Sequence, residues 1–156
     1  MVRLSRLSEL ARKSALTHPC QLNDTSPWTE PTRPLAEARL ALVTTAGLHL
    51  RGDTPFVAAD PSYRAFPTSS APAELVQSHV SIGFDRTAIL RDINVVLPLD
   101  RMRELVEQGA IGSLGPTAYS FMGAQRPPYE PIESCATEVG RRLRSEGVDV
   151  VFLTGT

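Results

Sequence analysis

The chain has 156 residues, 42% of them hydrophobic, enough for one domain with a real core and too few to argue for two. Sixteen Lys and Arg stand against seventeen Asp and Glu, a formal charge of -1 with no basic run, so neither nucleic acid nor an anionic membrane surface is expected as a partner. No stretch reaches the roughly 20 apolar residues that cross a bilayer, and the N-terminus lacks the apolar segment of a secretory signal, so the expected compartment is the cytoplasm. Cys20 and Cys135 lie far apart and in no CxxC or Cys/His spacing, so no disulfide framework and no metal site is expected.

Leu4, Leu7, Leu10 and Ala11 recur at helical spacing, and Glu9 favours a surface helix over a targeting peptide. Residues 17–34 are proline-rich and read as a surface loop, pinned by Trp28. This divides the chain into an N-terminal helix and loop, residues 1–34, and an α/β domain, residues 35–156. The apolar run 38–46, closed by Gly47, predicts a strand buried on both faces. Residues 48–72 are polar, with one short strand predicted at 63–66, and a connection of that length is expected to serve function.

A strand is predicted at 75–80, a short helix at 86–92 and a further strand at 94–97, ended by Pro98. Helix follows over 99–106, with Gly109 as its stop. Residues 116–122 suit either a strand or an ordered loop. Residues 131–146 predict a helix with Ile132, Cys135, Val139 and Leu143 on one face and Gly147 at its end, leading into a strongly apolar strand at 148–153. This order predicts a three-layer α/β fold with a mostly parallel sheet, Rossmann-like or flavodoxin-like. Ligands in such sheets bind beyond the carboxyl ends of the strands.

The chain holds no GxGxxG, P-loop, HExxH, EF-hand or GxSxG spacing, so its chemistry rests on single residues. His79 with Asp85 nearby suits proton transfer, against a packing role as the alternative. His49 and Thr45 follow or flank the end of the first strand and are candidates for contact with a substrate. Tyr63 and Arg64 are candidates for binding a carboxylate, the guanidinium pairing it bidentately, with a surface salt bridge as the alternative.

Residues 41–50 (ALVTTAGLHL), Ser62-Tyr63-Arg64, Ser78-His79 with Asp85, and residues 92–101 (DINVVLPLDR) follow in order along the chain. Glu104-Leu105-Val106, Ile111-Gly112-Ser113, Ser120-Phe121-Met122-Gly123, Glu146-Gly147-Val148-Asp149 and Leu153-Thr154 continue the series. Over residues 35–154 this ordered set resembles the front part of the selenoprotein B family of glycine, sarcosine, betaine and D-proline reductases. The resemblance implies an oxidoreductase subunit that reductively cleaves a C–N bond in a small amino-acid-like substrate, with a dithiol as electron donor and other reductase subunits as partners.

In that family a selenocysteine or cysteine follows the strand matching residues 148–153. This sequence carries neither there, so the resemblance implies a chain cut short at a selenocysteine codon read as stop, inactive alone and incomplete at the C-terminus of its sheet. No cofactor is expected within the chain. The alternative from a different class is a non-catalytic small-ligand-binding or subunit-docking module on the same scaffold.

Overall fold

The computed structural model describes residues 3–17, 24–26, 28–80, 86–123, 125 and 127–155. Contacts divide the chain into two units, Met1–Glu30 and Pro31–Thr156. In the first, helix α1 (Glu9–Leu16) starts where Ser8 Oγ accepts the Ala11 N–H at 3.3 Å and stops where Thr17 turns its N–H back on Lys13 O. The helix buries no residue, and Trp28, expected to pin the loop, is 79% exposed and gains no burial there. Cys20 lies outside the described residues.

The second unit is organised around β1 (Arg39–Thr44), whose burial on both faces explains its unbroken apolar sequence. Leu40 and Leu42 face one side and Ala41 and Val43 the other. Along one edge, β1 pairs in parallel with β7 (Val150–Thr154), with Leu40 opposite Val150 and Thr44 opposite Thr154. Along the other edge lie β5 (Ser113–Leu114) and then β6 (Thr117–Phe121), both parallel to β1, with the register slipping by two residues across Gly115-Pro116. Strand β3 (Tyr63–Pro67) closes that side antiparallel to β6. The result is a mixed, mostly parallel sheet flanked by helices, an α/β fold as predicted.

One face is covered by helix α4 (Glu130–Ser145). Pro131 occupies its first turn with Glu130 and Glu133, Arg142 and Arg144 its last, and Gly147 follows at φ +70°. Val139 and Leu143 pack on Ala41, Tyr119 and Phe121, with Ile132 and Cys135 beside them, which is the face read from the sequence. The opposite face is covered by short pieces. Helices α2 (Arg86–Arg91) and α3 (Leu99–Glu107) supply Ile89, Leu99 and Met102 to a core with Leu40, Leu42, Phe66 and Leu97.

Two segments differ from the sequence reading. Residues 94–97 are not a strand: Asp92 accepts the Asn94 N–H at 2.9 Å and starts a 3₁₀ turn, Ile93–Val95. Asn94 then clasps Asp100, donating Nδ2–H to its carboxylate and accepting its N–H, so apolar Val95-Val96-Leu97 is bent. The long polar connection holds a second strand, β2 (Leu48–Leu50), antiparallel to β4 (Leu75–Gln77) in a separate two-stranded sheet. No helix among the described residues is long and apolar enough to cross a membrane.

Candidate functional site

Beyond the carboxyl ends of β1 and β7 the backbone turns polar and remains densely bonded. The Thr44 and Thr154 hydroxyls both donate to the Val96 carbonyl, at 2.9 and 2.7 Å, so these two threonines tie strand ends to the turn preceding α3. Thr45 donates its N–H to Thr154 O at 3.0 Å, binding the segment that leaves β1 to the tip of β7. Gly47 then reverses the chain at φ +65°, where a Cβ would stand 3.2 Å from the His79 nitrogen. Its N–H donates to Phe121 O and its carbonyl accepts the Ser78 N–H, both at 2.9 Å. Leu48 donates to Ser120 Oγ at 2.7 Å, completing a link among the segments around residues 47, 78 and 120.

This scaffold holds His49 in a defined tautomer. Its Nδ1 lies 2.7 Å from the Leu50 carbonyl, which can only accept, so Nδ1 carries the proton. Nε2 lies 2.6 Å from Ser78 Oγ, and with the proton on Nδ1 alone it presents a lone pair to which the Ser78 O–H donates. A hydroxyl bonded to an imidazole that is itself oriented by a third group is the arrangement used to move protons. His49 is buried, with its ring edge-on to Phe56 at 6.4 Å between centroids. His79 is also buried. Burial pushes its pKa below the ordinary histidine value, and the Arg86 guanidinium, which donates to the His79 carbonyl, pushes the same way.

The sequence profile of the glycine/sarcosine/betaine reductase selenoprotein B family matches residues 7–156. The chain belongs to that family. It is similar to the D-proline reductase subunit gamma of Acetoanaerobium sticklandii, 38% identical over 128 residues, which are 81% of this chain and 52% of that protein. It is also similar to the glycine reductase complex component B subunit gamma of Symbiobacterium thermophilum, 29% identical over 143 residues, 89% of this chain and 33% of that protein. The betaine reductase complex component B subunit beta of Peptoclostridium acidaminophilum is 30% identical over 135 residues, 81% of this chain and 30% of that protein. The chain thus spans about half the length of the first relative and about a third of the other two. No solved structure gives a significant match.

The structure distributes the residues singled out in the sequence unevenly. Thr45 directly follows β1 and His49 lies in β2, with the His79 backbone packed against Gly47, which lies between them in the chain; Asp85 lies outside the described residues. Tyr63 and Arg64 are successive strand residues and point to opposite faces. Tyr63 faces α4: its hydroxyl donates to Glu138 Oε1 at 2.8 Å, and its ring stacks near Tyr119 and Phe121. Arg64 turns to the His49 side, with its guanidinium 4.3 Å over the Phe56 ring.

All five Arg64 N–H groups have partners: Thr54 O, Ser62 Oγ, Tyr63 O, Pro55 O and the Asp60 carboxylate. Burial pushes Asp60 up, but bonds from Ser62 and the charge of Arg64 outweigh it and hold the carboxyl below its ordinary value. Arg64 therefore binds the loop 54–62 to β3 and, through Phe56, backs His49.

Ser78, Phe56 and Asp60 were not among the sequence candidates. His49 and Ser78 are 29 residues apart and meet only because β2 pairs with β4. Three-residue strands leave no periodicity to read. Among the described residues, no group of three or more His, Cys, Asp or Glu is placed to hold a metal ion.

Proposed function

We propose that this chain is part of a reductase-complex subunit that cleaves a C–N bond of a small amino acid or N-methylated amine. The family match over residues 7–156 carries this reading. In it, a selenolate or thiolate attacks the carbon bearing nitrogen and the amine departs with a proton. Over the whole reaction a dithiol gives two electrons and two protons and becomes a disulfide, so C–N becomes C–H and N–H.

In this reading the selenocysteine or cysteine follows β7 in the whole protein. A nucleophile there would stand at a strand tip already joined to β1 through Thr45 N–H and Thr154 O. It would share the strand-end region with the Ser78–His49 pair, which would pass protons to and from the reacting atoms, His49 Nε2 exchanging with Ser78 Oγ. Thr45 would lie on the substrate side. His79 and Arg64 would act as positioning residues, one packed under Gly47 and the other behind Phe56.

The test is the complete reading frame, expressed with the other reductase subunits and assayed with dithiothreitol on D-proline, glycine, sarcosine and betaine. Dithiol-dependent reduction of one of them is expected, with kcat lowered at least tenfold by Ser78→Ala or His49→Gln and the subunits still assembled. No reduction of any of the four, in a complex that assembles, would overturn the reading.

A further inference from the structure

A groove of about 620 Å³ opens between the β2/β4 strand pair and α2. Leu48, Leu75, Ile89 and Ile93 line it, and Leu90 projects at its lip, 86% exposed. Among the described residues its charge is one-sided: Arg51, Arg86 and Arg91 line it, and no described Asp or Glu does.

Asp85, next to Arg86, lies outside the described residues; among the described ones, the carboxylates nearest in sequence accept hydrogen bonds of their own. Asp53 accepts the Leu50 N–H, Glu74 the Ala71 N–H, and Asp92 the N–H and Nδ2–H of Asn94. Among the described residues none of the three arginines forms an ion pair. Three guanidinium groups beside an apolar floor, on a chain whose net charge is -1, form a local cationic site whose complement is a segment presenting apolar side chains flanked by carboxylates.

We propose that this groove docks an acidic amphipathic segment of another subunit of the reductase complex. Its apolar residues lie on Leu75, Ile89 and Leu90, and its carboxylates pair with Arg51, Arg86 and Arg91. The identity of the partner rests on the reading of this chain as a complex subunit; the chemistry of the segment rests on the groove alone.

Two measurements on the full chain test it. Fluorescence anisotropy with a labelled peptide carrying Leu and Glu at helical spacing should show binding that weakens with added salt and falls about tenfold in Arg91→Glu and in Leu90→Ser. Both positions are exposed, so neither change threatens the fold. Arg101→Glu, an equal charge reversal on exposed α3, should leave binding unchanged, and the same peptide with Lys for Glu should not bind. Absence of binding, equal binding of the Lys peptide, or wild-type affinity in both variants overturns the proposal.

Size-exclusion chromatography with the purified partner subunits should show the complex weakened in the same two variants. Normal assembly of both variants overturns the groove and leaves the subunit reading intact. If the wild-type chain assembles with no subunit, the subunit reading fails and the peptide binding alone decides the groove. Concentration-dependent dimerisation abolished by Leu90→Ser would give the groove to a second copy of this chain and overturn the proposal.

Discussion

The two faces of the sheet are built by different means. On one, the single helix α4 lies over aromatic and aliphatic side chains, and its polar contacts lie at the margin: the pair Arg142–Glu138 at 2.8 Å and the Tyr63 hydroxyl on the same Glu138. On the other, two short helices, a 3₁₀ turn, a pair of three-residue strands and a loop share the work, and the buried polar groups at the strand ends, His49, Ser120 and the Thr44 hydroxyl, are held by specific hydrogen bonds. A regular helix can cover a sheet through a repeating apolar stripe, whereas irregular backbone must have each donor and acceptor satisfied individually. That requirement is what allows the second face to aim an imidazole and a hydroxyl at each other.

The strongest test of this contrast is core truncation. Leu97 is completely buried on the irregular face and Leu143 slightly exposed under α4, so Leu97→Ala should cost about 3–4 kcal/mol and Leu143→Ala about 2–3 kcal/mol in urea unfolding. Equal costs would mean that the short pieces pack no more tightly than the helix. Gly47→Ala comes next: its φ of +65° and its closeness to His79 predict a loss of about 1–2 kcal/mol. The strain falls at the β2/β4 strand pair, so the imidazole signals of His49 and His79 should shift while the ring signals of Tyr119 stay in place.

The helix-covered face was legible in the sequence because its pattern is long. Ile132, Cys135, Val139 and Leu143 recur over about three helical turns, and the apolar runs of β1 and β7 announce sheet strands, of which β1 is buried while Val151, Phe152 and Leu153 of β7 stay exposed. The irregular face was legible only in part. Val95-Val96-Leu97 reads as a strand by hydropathy, yet the Asp92 cap and the Asn94–Asp100 clasp, side-chain hydrogen bonds with no apolar period, set a 3₁₀ turn over Ile93–Val95 and bend the residues after it. His49 could be found by its position after β1. Ser78 could not be recognised as its partner, since their meeting depends on the β2/β4 pairing across 29 residues.

Smaller effects separate the faces further. Ser78→Ala should cost about 1 kcal/mol, and nitrogen NMR of His49 should still show the proton on Nδ1, because Leu50 O fixes it. A switch to the Nε2–H form would show that Ser78, not the backbone, sets the tautomer. On the helix face, burial, followed by the bond to Glu146, pushes Tyr119 up to about 12. The unfolded chain then releases this proton first, near the ordinary value of 10, so stability is full below pH 10 and falls as pH rises toward 12. Tyr119→Phe should flatten that slope in alkaline unfolding curves.

His79 gives the opposite, acid-side slope. Its folded pKa lies below the ordinary 6.5, so its contribution is full above that value and is lost as pH falls beneath it. His79→Gln should make stability less sensitive to pH between neutrality and mild acid.

Val96 offers its carbonyl to two threonine hydroxyls from adjacent strands. One oxygen thereby serves as a common pivot for the tips of β1 and β7, so a displacement of the turn ahead of α3 would carry both tips together and preserve their spacing. Whatever departs from β7 and whatever departs from β1 toward His49 are in this way kept in step, and a carbon-13 label on the Val96 carbonyl would register the movement of either.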